Sequence, residues 1–125
     1  MHVLRKMIDA VEPGGLVLDL QVIRPNPVVE AAGATVCEID GEPIFVMADA
    51  ATAAVDAAIA AGRLAEEAVD DHDVRNHFPS GADLIDDFAG KKRGPPDEAL
   101  PRLRALQGPV VVRERCRLRR LRVRL

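Results

Sequence analysis

The sequence predicts an α/β domain, a sheet of roughly three to five strands with flanking helices. Three observations predict it. Val3, Leu4, Met7, Ile8 and Val11 recur at helical spacing, which gives an amphipathic helix over residues 2–12. Leu16 to Ile23 is a β-rich, nearly continuous apolar run, the pattern of a strand buried on both faces. From Val110 onward, apolar residues alternate with arginines in the two-residue period of a strand with one solvated face.

The chain has 125 residues, which fits a single domain over 1–125. Apolar residues make up 48% and aromatic ones 2%, with no Trp and no Tyr, so the core must be built from Ala, Val, Leu and Ile. A site that stacks bases or sugars on aromatic rings is not expected. Seventeen basic residues (Lys and Arg) against 20 acidic ones give a formal charge of -3, which argues against nucleic acid as a partner. Cys37 and Cys116 have no Cys-x-x-Cys spacing and read as small buried apolar residues. No apolar run reaches the ~18 residues of a membrane span, and there is no signal-peptide pattern, so the expected compartment is the cytoplasm. The richness in Ala, Arg and Asp suggests a bacterial genome of high GC content.

Between these elements the order is readable. Pro13-Gly14-Gly15 ends the first helix, because proline cannot continue it. Pro25 and Pro27 stop the first strand. Asp40-Gly41 between two apolar runs predicts a hairpin, with Pro43 marking its second arm as an edge strand or bulge. Residues 48–61 form an alanine-rich helix, with Asp49 as N-cap and Gly62 as C-cap. Residues 64–78 are ambiguous, and a strand is expected over 72–78. Pro79-Ser80-Gly81 opens a helix with the stripe Leu84, Ile85 and Phe88. Residues 90–96 form an exposed basic loop, and 97–106 a further helix. In the last segment the alternation slips by one residue at Arg119-Arg120, as a bulge or sharp bend would cause, after which Leu121, Val123 and Leu125 are apolar.

This order resembles the C-terminal half of class I S-adenosylmethionine-dependent methyltransferases. The matching residues are the helix Leu4 to Glu12, the turn Pro13-Gly14-Gly15 and the strand Leu16 to Ile23. The resemblance implies a partial Rossmann-like sheet. Its last two strands, the segment ending Asp73 to Phe78 and Val110 to Val123, would pair antiparallel, with a short helix at Asp83-Leu84-Ile85. The family's cofactor would be S-adenosylmethionine, bound by a glycine-rich turn and a ribose-binding acid in the other half of the fold. That half is absent here, so no cofactor is expected for this chain alone. A second register makes Val17 to Leu20 the first strand and Asp40 the ribose acid. It would leave the turn Gln21 to Pro27 without a glycine.

Three groups of residues are candidates for chemistry. Gln21 and Arg24 would lie at the carboxyl rim of Leu16–Ile23 if that strand is central, placed for substrate contact or as a polar pair capping a loop. Asp70, Asp71, His72, Asp73 and His77 offer acid, base or metal-ligating groups, or a solvated acidic turn. Seven arginines lie between Arg113 and Arg124. Of these, Arg113, Arg115 and Arg117 would bind an anion, or would pair across strands with the acids of Glu66–Asp73 and Asp83–Asp87. No catalytic residue and no metal site is assigned.

The expected function is a methyltransferase-like protein that is non-catalytic alone and serves as a structural or dimerisation domain. Its partner would be a second copy or a chain carrying the missing half of the sheet. The alternatives are a small module holding an anionic partner on the arginine face, and a subunit or fragment of an active methyltransferase.

Overall fold

The computed structural model describes residues 2–124, His2 by its backbone alone. The chain runs α1 (His2–Ala10), β1 (Leu16–Val22), β2 (Val28–Ala31), β3 (Ala34–Glu38), α2 (Glu42–Ala60), β4 (Leu64–Phe78), α3 (Gly81–Phe88), a 3-10 turn (Asp97–Ala99), α4 (Leu100–Ala105) and β5 (Val110–Val123). The five strands form one open sheet in which every pairing is antiparallel.

β5 is the central strand. Along one edge it pairs with β4 from Phe78↔Val110 to Leu64↔Val123. Along the other edge lie β1, beside its C-terminal half, and β2, beside its N-terminal half, with β3 beyond β2. The expected antiparallel pairing of the 73–78 segment with Val110–Val123 is present. A parallel crossover of the doubly wound kind is not formed among the described residues.

Several expectations are corrected. The hairpin joins β2 to β3 through Ala32-Gly33, whose φ angles of 51° and 76° are those a two-residue turn of this kind requires. Asp40-Gly41 instead opens α2. The Asp40 carboxylate accepts from the Glu42 N–H at 3.0 Å, and the Asn26 side-chain carbonyl accepts from the Gly41 N–H at 3.0 Å. Pro43 therefore sits in the first turn of a helix, where its missing N–H leaves no bond unmade, rather than on an edge strand. Asp49 lies inside α2 and is not its N-cap. α2 has 19 residues and, by length and apolar composition, passes as a candidate membrane span, contrary to the expectation that no segment would. Its buried residues are Phe45, Ala48 and Val55, and Val55 packs with Val17 of β1 and Leu64 of β4.

β4 is longer than expected, because residues 64–71 extend it. The irregularity expected at Arg119-Arg120 falls on β4 instead. Glu66 pairs with Leu121 and Ala68 with Arg120, so Glu67 is the extra residue opposite the predicted slip. β5 itself keeps register with β1 without interruption from Arg122 to Cys116. Its change of pattern has another cause. Val110, Val112, Glu114 and Cys116 are buried on one face, and Arg119, Leu121 and Val123 on the other. Leu125 lies outside the described residues.

Two apolar clusters account for that switch. The first joins Leu4 and Ile8 of α1, Val17 of β1, Val55 of α2, Leu64 of β4 and Leu121 and Val123 of β5. The second joins Val29, Ile39, Leu84, Ala99, Leu103, Val110 and Val112, with Phe78 and Phe88 packed against it. Burial of side chains of this size stabilises by about 1.5–3 kcal/mol each. Cys116 is buried and Cys37 half-buried, both as free thiols whose pKa burial pushes up.

α3 begins as the sequence signals. The Ser80 hydroxyl oxygen accepts from the Asp83 N–H at 3.2 Å, and the hydroxyl donates to the Asp83 carboxylate at 2.8 Å. Ser80→Ala is expected to lower stability by about 1 kcal/mol, read as a shift of the urea midpoint with unchanged slope. An unshifted midpoint would show that the cap is not formed.

Candidate functional site

β1 is an edge strand, not the central strand expected for Leu16–Ile23, and it is not buried on both faces. One edge pairs with β5, and the other faces no strand among the described residues. Its two faces are reversed in polarity. Val17, Asp19 and Gln21 point toward the layer of α1 and α2, where they line a groove of about 120 Å³ with Val3, Met7 and Val55. Leu16, Leu18 and Leu20 point the other way and are 42%, 61% and 56% exposed. Leu118, paired with Leu20, continues this face onto β5. Apolar side chains at alternate positions of an unpaired edge are what folded monomers avoid, because such an edge recruits another strand.

α1 shares that groove with β1 and α2. Its residues Val3 and Met7 are 61% and 42% exposed and line the same groove as Val17 and Asp19. The leucine spacing, Leu-x-Leu-x-Leu, was the available signal. The run reads as doubly buried because Val17 fills one gap between the leucines and Val22 and Ile23 extend the apolar stretch beyond Leu20.

Gln21 and Arg24 do not form a pair. The Gln21 amide donates to Asp19 Oδ1 at 2.9 Å. Arg24 reaches α2, donating to Asp49 at 3.2 and 3.1 Å and to Glu42 at 2.9 Å, with Phe45 5.0 Å from its guanidinium carbon. These bonds, Asp49 first, hold the Arg24 pKa above its ordinary value. The residue fastens the loop after β1 to the first turns of α2.

The arginine face is matched by acids. Arg113 donates to Glu30 at 3.1 Å, Arg115 to Asp73 at 3.2 Å, and Arg117 to both oxygens of Asp71 at 2.8 and 2.9 Å. Arg119, 7% exposed, meets Asp56 at 2.9 Å and Glu66 at 2.5 Å. Arg120 and Arg122 share the bulged Glu67. The Arg117 bonds hold the Asp71 carboxyl below its usual range, and the Arg122 bonds do the same for Glu67. The cross-strand pairing involves the acids of β4 and Glu30 of β2, and not Asp83–Asp87, where Asp87 bridges Lys91 at 3.1 Å.

The acid and imidazole residues of β4 are dispersed. His72 Nδ1 lies 2.9 Å from Asp70. His72 and His77, five residues apart, point to opposite faces of the strand. No cluster of three potential metal ligands occurs among the described residues.

The sequence did not single out Arg93 or Glu114. Arg93, from the loop after α3, is ion-paired to Glu114 of β5, with side chains 15% and 8% exposed. Glu114, an acid at an apolar-face position of β5, was the available signal, whereas nothing marks Arg93 within the basic 90–96 loop.

The residues present do not fit S-adenosylmethionine. The segment Gln21–Pro27 has no glycine and continues the chain along β5 from β1 to β2, with the Ile23 N–H bonded to the Arg115 carbonyl at 2.8 Å. Asp40, the ribose acid of the second register, is engaged by the start of α2. A search against family models, curated proteins and solved structures found no match to the chain.

Proposed function

We propose that this chain is a non-catalytic assembly domain that pairs with a second copy of itself through the open edge of β1. The observation that carries this reading is the inverted strand, with leucines at 16, 18 and 20 facing outward and Asp19 and Gln21 facing the helices. An isologous contact needs a self-complementary surface. Antiparallel pairing of two copies about Leu18 places Leu16 opposite Leu20 of the second copy and Leu18 opposite Leu18. It sets Asp19 against Val17, so no like charges face each other.

Element order supports a methyltransferase-like ancestry as part of the same proposal: a helix, a Pro-Gly-Gly turn, a strand and an antiparallel terminal pair. Ligands of doubly wound sheets bind beyond the carboxyl ends of parallel strands. No such crevice is formed among the described residues, and activity in this reading belongs to a partner chain. The anionic-partner alternative has less support, because Arg113, Arg115 and Arg117 would first have to leave their carboxylates.

Sedimentation equilibrium tests the proposal. The wild-type chain is expected to sediment at twice its 13.5 kDa mass at micromolar concentration. Leu18→Lys, at an exposed position, is expected to sediment as a monomer whose melting temperature no longer depends on concentration. A monomeric wild type, or a Leu18→Lys variant that stays dimeric, contradicts the reading.

A further inference from the structure

A cleft of about 750 Å³ lies between the start of α2, the end of β4 and the loop after α3. None of its lining residues belongs to α1 or β1, so it is independent of the assembly edge. Its size falls in the range of small-molecule sites.

The charges around it do not cancel. Lys91 is bridged to Asp87 at 3.1 Å, and Arg93 is paired with the buried Glu114. Lys92 has no carboxylate partner among the described residues, and its ammonium meets Met47 Sδ at 3.7 Å. The cleft therefore holds one uncompensated positive charge. Arg93 Nη1 is buried and has no hydrogen-bond partner, although buried donors are nearly always satisfied. The Phe88 ring lies beside these cations, 5.3 Å from Lys91 Nζ and 5.9 Å from Arg93 Cζ, and provides a flat apolar wall.

We propose that this cleft binds a small anion with a single acidic group, its carboxylate or phosphate held by Lys92 and Arg93 and its flat apolar body laid on Phe88. The Arg93–Glu114 pair holds the guanidinium by Nη2, and a modest rotation about that contact gives the unused Nη1 donor an acceptor on the guest. Lys92 supplies the charge that selects an anion over a neutral molecule of the same shape.

Benzoate and phenyl phosphate, with benzyl alcohol as the neutral counterpart, test this by amide chemical-shift titration of the full chain. Probes of this size are expected to bind with Kd of ~10 mM or tighter. Saturable shifts are expected at residues 76–78, 87–93 and 114 with at least one anion and not with benzyl alcohol. The tighter of the two anions identifies the head group. Lys92→Ala, at an exposed position, is expected to weaken binding about tenfold, and Arg104→Ala, remote from the cleft, is expected to change nothing. The proposal is overturned by the absence of saturable shifts with either anion, by shifts centred elsewhere, by equal binding of the alcohol, or by an unaltered affinity in Lys92→Ala.

Discussion

Gly81→Ala is expected to destabilise the protein by about 3 kcal/mol, enough to remove much of the stability of a small domain. Gly81 opens α3, and a Cβ built there would stand 1.9 Å from the Leu103 carbonyl oxygen and 2.6 Å from the carbonyl carbon. The obstacle is backbone, so no rotamer change relieves it. Either α3 or α4 must move, and both carry fully buried leucines, Leu84 and Leu103, into the second apolar cluster. Gly108→Ala is the control, because its Cβ meets nothing within 4 Å. Urea unfolding of the two variants separates the effects. A Gly81→Ala variant within about 0.5 kcal/mol of wild type would contradict the close approach of the two helices.

Removing one partner of the Arg93–Glu114 pair is expected to cost about 3–5 kcal/mol. Both side chains are largely withdrawn from water, at 15% and 8% exposure. Arg93→Met leaves the Glu114 carboxylate buried without its cation, and Glu114→Leu leaves a buried guanidinium. The charge left behind causes the loss in each case, so the double variant Arg93→Met/Glu114→Leu is expected to lie close to wild type. A double-mutant cycle by urea unfolding reads this directly. Additive losses in the double variant would mean that each residue is held by other contacts and that the pair is incidental.

The parts of the fold that were legible in the sequence are those where one local rule operates alone. α1 has a clean helical stripe and a Pro-Gly-Gly stop, and α3 has a Ser80 cap. β5 announces itself by the alternation of arginines with apolar residues up to Leu118. The failures occur where two rules compete. Pro43 disfavours a strand and favours the first turn of a helix, and Ile44 to Val46 reads equally well as either. The true hairpin turn, Ala32-Gly33, lacks the Asn-Gly or Asp-Gly signature, while Asp40-Gly41 has it and opens a helix instead. β4 was obscured by its acids, which have low strand propensity. They are tolerated because β5 offers an arginine to Asp71, to Asp73 and to Glu66. This pairing depends on a distant partner segment, at sequence separations of 42, 46 and 53 residues. For the candidate site, the leucines of β1 were visible but their direction was not. Alternating side chains carry no label for inside and outside, and only the position of α1 and α2 over Val17 decides it.

That direction is the basis of the assembly proposal, and the amides of β1 test it most directly. An edge strand paired on one side leaves alternate N–H groups pointing outward to solvent. Hydrogen exchange of Leu16–Val22 would be followed in wild type at concentrations well above and well below the dissociation midpoint. The account predicts that the outward amides are protected in the concentrated sample and exchange freely on dilution, while the amides bonded to β5 stay protected in both. Outward amides that exchange freely at every concentration would contradict pairing through this edge.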